Sequence, residues 1–276
     1  MKSTNKVVRA GFAFVFVAML FTSGCKKGTS FNVFSIQDDK NFGAQMEAEI
    51  ASKPTEYPLL DRATNAGAYA YLDNMKQSIL DGGKLEHAND FVWKLYIIKD
   101  DNTQNAFCTP GGYIYVYTGL IKYLDNASSL AGVLGHELGH ADKRHSTNQM
   151  TKKYGLDLLV GVIAGTTSAG KIAEMAAGFS TLAFSREDEK AADECSVNFL
   201  CPTTYRASGA ADFFMKLEAN GVSCNGVQAF FSTHPCPENR IVNIQTNATN
   251  ANCGINDIGS NDDVAGYAAF KASLHY

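Results

Sequence analysis

The sequence predicts a mainly α-helical chain with a small β-sheet. Three observations carry that expectation. Apolar residues recur at helical spacing, as in Phe42, Met46, Ile50 and again in Ala68, Leu72, Met75, Ile79. Two short runs, Phe91–Lys99 and Tyr113–Tyr117, are dense in β-branched and aromatic residues. The 276 residues, 45% of them hydrophobic, suffice for one sizeable core, or one domain plus tails. The formal net charge of −4 and the lack of a basic stripe argue against a nucleic-acid partner.

At the N-terminus, Lys2, Lys6 and Arg9 precede an unbroken run, apolar or Gly, from Ala10 to Phe21, too short to span a bilayer. Thr22-Ser23-Gly24-Cys25 follows and resembles a bacterial lipobox, with Thr22 where such boxes usually carry Leu. Residues 1–24 are therefore expected to be a signal peptide, Cys25 the lipidated first residue of the mature chain, and 25–34 a tether. The alternative is an ordinary cleaved signal with a coincidental cysteine. Export would put Cys108, Cys195, Cys201, Cys224, Cys236 and Cys253 in an oxidising compartment. Six cysteines allow fifteen pairings, and sequence does not choose among them.

The domain is expected over residues 35–250. Ser35 caps a first helix, with Asp38 and Asp39 in its first turn, and Pro54 and Pro58 end it. A second helix is expected from about Asp61 to Leu80, ended by Asp81-Gly82-Gly83. Phe91–Lys99 and Tyr113–Tyr117 read as strands, with Asn105 to Gly112 as a turn-rich connection and a short helix over Leu120–Leu124. Residues 204–219 read as a core helix, 225–231 as a short one, and 237–246 as another. The Asn-rich stretch 251–276 reads as a weakly patterned tail.

The densest chemistry lies in a helix expected from about Asn126 to His145. It holds His136-Glu137-Leu138-Gly139-His140. Histidines one helical turn apart share a face and reach one metal ion, and Glu137 lies beside them to take a proton from water. His145, nine residues from His136, falls on the opposite face and is a poor ligand. Lys143 and Ser146 stand where a metzincin needs Gly and His, which excludes that class.

A third ligand must come from further along the chain. Residues 154–178 are apolar and glycine-rich, without a run long enough to span a membrane. Two readings of 146–185 stand side by side: a helical hairpin packed over the site, or a lid. Then comes Ser185-Arg186-Glu187-Asp188-Glu189-Lys190-Ala191-Ala192-Asp193. One carboxylate here can complete a two-histidine site and another can hold a ligand imidazole by its second nitrogen. Residue types alone do not choose among Glu187, Asp188 and Glu189.

Together, His136-Glu137-x-x-His140, Ser185-Arg186-x-x-Glu189-x-x-Ala192-Asp193 and Ser232-Thr233-His234-Pro235-x-x-x-x-Arg240-Ile241 resemble the gluzincin family of HtpX, the CAAX prenyl proteases and the exported BepA-like and Oma-like peptidases. Asn105-Ala106-Phe107, Pro110-Gly111-Gly112 and Tyr117-Thr118-Gly119-Leu120 match its pre-catalytic strand. The resemblance runs from about Ser35 to Ile244 and implies a zincin-type metallopeptidase domain. It further implies one zinc ion per chain on His136, His140 and Glu189, with Asp193 supporting the ligands, Glu137 as base, and His234 and Arg240 steadying the oxyanion. A strand containing Gly112, Tyr113, Ile114 and Tyr115 would lie along the cleft and pair with extended substrate.

The implied function is a zinc endopeptidase of the bacterial cell envelope acting on unfolded or misassembled proteins. As a lipoprotein it would face the periplasm, held to the outer membrane by its N-terminal lipid. The alternative is an envelope chaperone or assembly factor that binds extended segments at its edge strand with little turnover; the intact Glu137 argues for the enzyme. Cys108 and Cys236 depart from the family pattern, where apolar residues are expected. No spanning helix follows the signal, and no repeat array follows Ile244.

Overall fold

In the computed structural model, which describes residues 32–222, 229–235, 239–253 and 262–275, helix α1 (Ile36–Ala51) starts as the sequence predicts. Ser35 and Asp38 form a reciprocal capping box, Asp38 N donating to Ser35 Oγ and Ser35 N to Asp38 Oδ2. Helix α2 (Ala66–Asp81) starts later than expected because Asp61 folds the preceding residues into a turn. Its carboxylate accepts from both the backbone N and the hydroxyl of Thr64, at 2.8 Å each. The signal peptide, Cys25, Cys224, Cys236 and residues 225–228 of the expected short helix lie outside the described residues.

The sheet has three strands in the order β1-β3-β2: β1 (Lys94–Ile98), β2 (Ala106–Thr109) and β3 (Tyr113–Tyr117). β1 is shorter than the predicted run because Trp93 takes a left-handed conformation, φ 48°. β2 corrects the reading of 105–112 as connection only. It pairs antiparallel with β3, and Gly111 and Gly112, φ 77° and 88°, supply the tight turn between them. β3 runs parallel to β1 on its other side. Ile114 and Val116 enter the main core, whereas Tyr113, Tyr115 and Tyr117 enter a second core on the opposite face.

After the short α3 (Thr118–Tyr123), α4 (Ala127–Asp142) runs through the main core with all its residues buried. Its glycines set its neighbours. A Cβ on Gly132 would lie 2.0 Å from Ala210 N, so α9 (Ala210–Ala219) crosses there almost backbone to backbone. Gly139 faces α8 (Arg186–Leu200), where an added Cβ would lie 2.8 Å from Cys195 Cβ and 3.2 Å from Ala192 O.

Helices α5 (His145–Tyr154), α6 (Leu156–Ile163) and α7 (Ala169–Ala177) make up the segment between the histidine helix and α8. It is a packed hairpin here: Leu159, Val162, Met175 and Ala176 fill the second core with α1. Gln45 Nε2 donates to Val162 O at 3.0 Å and Lys53 Nζ to Ala173 O at 3.2 Å. Among the described residues no helix is long and apolar enough to cross a membrane.

After α10 (Ala229–Thr233) and α11 (Arg240–Asn250), the stretch 251–276 proves to be more than a tail. It carries α12 (Val264–Ala272), whose Tyr267 and Phe270 belong to the main core, and Tyr267 Oη donates to Ile121 O at 2.7 Å. A Cys201–Cys253 disulfide ties it to the end of α8, while Cys108 and Cys195 are free and buried.

Candidate metal centre

Helix α4 presents His136 and His140 on one face, with their Nε2 atoms 3.0 Å apart. The first turn of α8 brings in Glu189, whose Oε1 is 3.3 Å from His140 Nε2 and whose Oε2 is 3.5 Å from His136 Nε2. Ser185 and Asp188 cap that turn, which fixes where Glu189 points. Glu187 is exposed and Asp188 is taken up by the Ser185 cap, so among the three acidic residues it is Glu189 whose carboxylate meets the histidines.

His234 Nδ1 lies 3.1 Å from Glu189 Oε1 and 3.4 Å from His136 Nε2. The candidate ligand atoms of His136, His140, Glu189 and His234 all lie within 4.8 Å of one another, and all four residues are buried. His234 was expected to face developing charge. Its Nδ1 sits among the candidate ligand atoms, and its Nε2 faces Glu137 Oε1 at 3.5 Å.

Asp193, one turn beyond Glu189, takes the predicted supporting place: His136 Nδ1 donates to its Oδ1 at 2.9 Å. Arg240 Nε and Nη2 bind Asp193 at 2.8 Å each, and Nη2 lies 3.1 Å from Glu189 Oε2. Its guanidinium also lies 4.2 Å from the ring centroid of Phe214. Two carboxylates and an aromatic face hold Arg240 beside the ligands, and its Nη1 is buried with no hydrogen-bond partner.

The substrate strand must also be reassigned. Gly112, Tyr113, Ile114 and Tyr115 belong to β3 or its turn, and β3 is paired on both sides. A central strand has no edge for an incoming peptide. The strand beside α4 with an outer edge is β2, where Cys108 O accepts from Ser146 Oγ at 2.7 Å.

Two neighbours of His140 escaped the sequence reading. The ring of Phe184 stacks on His140, centroids 3.9 Å apart. His145, set aside as a ligand, still reaches the site: its Nδ1 is 2.9 Å from His140 Nδ1. The helix does not continue to 145 as expected. It ends at Asp142, and Arg144, φ 58°, turns α5 back so that His145 meets His140. Arg144 is held there by Asp39 and by the carbonyls of Phe34 and Ser35.

The electrostatics suit a cation flanked by a base. Burial raises the pKa of Glu137 above the ordinary carboxylate range. Burial would raise Glu189 too, but the charges of His234 and Arg240 hold it well below that range. Burial pushes His140 down; His136, despite burial, is pushed up to about 9 by Asp193 and Glu189. Both oxygens of Glu137 and Nε2 of His234 are buried with no hydrogen-bond partner. Imidazole and carboxylate donors that converge within 4.8 Å of one another, beside a buried glutamate whose oxygens have no hydrogen-bond partner, fit a zinc-type ion.

A buried helix with two histidines one turn apart, a carboxylate from a second helix and an unpartnered glutamate between them define a metallopeptidase site of the zincin type. The chain belongs to peptidase family M48, whose family model matches residues 68–248. It is 29% identical over 159 residues to the mitochondrial metalloendopeptidase OMA1 of Schizosaccharomyces pombe, covering 57% of this chain and 47% of that one. It is 32% identical over 154 residues to the protein of that name in Arabidopsis thaliana, covering 56% and 31%. It is 28% identical over 178 residues to the beta-barrel assembly-enhancing protease of Escherichia coli, covering 59% and 36%. The matches thus span less than half of each of these relatives.

Proposed function

We propose that this chain is a zinc-dependent endopeptidase of the bacterial cell envelope that hydrolyses peptide bonds in unfolded or misassembled proteins. The observation that carries the reading is Glu137, fully buried beside the convergent donors of His136, His140 and Glu189 with neither carboxylate oxygen bonded. Held by those three residues, a zinc ion would supply Lewis acidity to the carbonyl and to water. Glu137 takes the proton from the attacking water and returns it to the leaving amine. Asp193 fixes the ring of His136, and Arg240 fixes Asp193 and Glu189 together. Extended substrate adds to the outer edge of β2, which lies against the active helix.

The envelope assignment is supported by the N-terminal pattern ending in Cys25 and by relatives named beta-barrel assembly-enhancing protease. Relatives named mitochondrial leave the compartment to the N-terminus. There a lipid on Cys25 would hold the domain to a membrane facing the periplasm.

The test is metal analysis of the purified chain together with cleavage of an unfolded protein by wild type and Glu137→Gln. Wild type should carry about one zinc per chain and cleave. Glu137→Gln should keep the zinc and lose at least about a hundredfold in rate. Loss of zinc along with activity would make Glu137 a ligand, and equal rates would remove it as the base.

A further inference from the structure

The two histidines of α4 are held differently. His136 has a carboxylate behind it, Asp193 at 2.9 Å from Nδ1. His140 has another imidazole, His145, whose Nδ1 lies 2.9 Å from its own Nδ1. One of these nitrogens donates and the other accepts. With Nε2 of His140 turned to the ligand cluster as a lone-pair donor, Nδ1 of His140 carries its proton. His145 Nδ1 must then accept, which puts the His145 proton on Nε2. That nitrogen faces Asp188 Oδ1 at 3.6 Å.

Asp188 is itself fixed. Its Oδ2 accepts from Gln149 Nε2 and from Ser185 N, each at 3.1 Å. His140, His145 and Asp188 are all buried, at 0%, 6% and 8% exposure, so water does not replace these contacts. Phe184 stacks on the face of His140 with an interplanar angle of 22°, which limits its tilt, and His145 fixes its direction in the ring plane.

We infer that His145, backed by Asp188, is a positioning residue for the metal centre: it holds His140 in the tautomer that leaves Nε2 free to bind the ion. The inference rests on the zinc reading above. Its distinguishing feature is a neutral acceptor behind His140 where His136 has a charged one. Removing the acceptor leaves a buried N–H unpaired and frees the ring to take the wrong tautomer.

The experiment compares zinc affinity of the purified full chain by competition with a chromogenic chelator, for wild type, His145→Leu and His145→Asn. The visible spectrum of each cobalt-substituted protein and the melting temperature of each metal-free protein are recorded alongside. Loss of the support behind a ligand histidine weakens metal binding about 10- to 100-fold, and that loss is expected for His145→Leu. The amide oxygen introduced by His145→Asn falls near the place of Nδ1 and accepts the same proton, so it should recover most of the affinity and the wild-type cobalt bands. Zinc binding by His145→Leu as tight as wild type overturns the inference. So does equal weakness in both variants, which would mean that only packing was lost. If His145→Leu does not fold, His145→Gln, which moves the acceptor by one bond, takes its place with the same expectation. A wild type that binds no zinc overturns the metal reading itself, a result distinct from any difference among the variants.

Discussion

At the scale of single residues, Arg240 shows how much of this site is support. It is 3% exposed and bridges two buried carboxylates, Asp193 and Glu189. Arg240→Met would fill similar space but leave both carboxylates without their cation. Breaking one side of a buried ion pair costs about 3–5 kcal/mol, and a loss of that size is expected in denaturant unfolding of the metal-free protein. A loss under about 1 kcal/mol would mean that the carboxylates are solvated when the metal is absent. The two histidines and Glu137 were legible because they are local, whereas Glu189 was singled out from its acidic run only by the family resemblance. His136, Glu137 and His140 sit within one helical turn, and Asp193 follows Glu189 at i,i+4. His145 was not legible. Its approach depends on the left-handed turn at Arg144, which no glycine marks and which distant atoms of Phe34, Ser35 and Asp39 hold in place.

At the scale of elements, the central helix is organised by what its glycines omit. Gly132 meets α9 and Gly139 meets α8, so one helix seats both partners at close range and brings Glu189 to the histidines. Gly132→Ala would drive a methyl into backbone atoms, 2.0 Å from Ala210 N and 2.5 Å from Gly209 C. Overpacking of this kind costs about 1–3 kcal/mol, so the unfolding midpoint should fall. Gly170→Ala is the control. Nothing lies within 4 Å of its added Cβ, and it sits inside α7 without a positive φ. It should be neutral or stabilising by about 0.4–1 kcal/mol. Equal effects at the two sites would show that α4 and α9 can move apart freely. The same reliance on close backbone approach hid β2 from the sequence. Asn105 to Gly112 looks like punctuation, and only its pairing with β3 shows that Ala106–Thr109 is a strand.

At the scale of the whole molecule, the C-terminal stretch closes the fold. Its sequence gave little sign of this, because its two core aromatic residues, Tyr267 and Phe270, occupy a single turn of a nine-residue helix. The chain secures it by other means. Asp262 O accepts from Ala127 N at 2.8 Å, at the very start of the active helix, and the Cys201–Cys253 bond spans 52 residues of sequence. Closing a loop of that length removes unfolded-state entropy equivalent to about 4 kcal/mol. Reduction, or Cys253→Ser, should therefore lower the melting temperature by on the order of 10 °C for a chain of this size. The metal centre should be spared. Cys201 follows the last residue of α8, whereas Glu189 lies in its first turn, some twelve residues and about 18 Å away along the axis. Zinc content after reduction should thus match that of the oxidised protein at temperatures below both transitions. Zinc lost in step with reduction would show that the far end of α8 controls the near one. The disulfide would then belong to the site and not only to the frame that carries it.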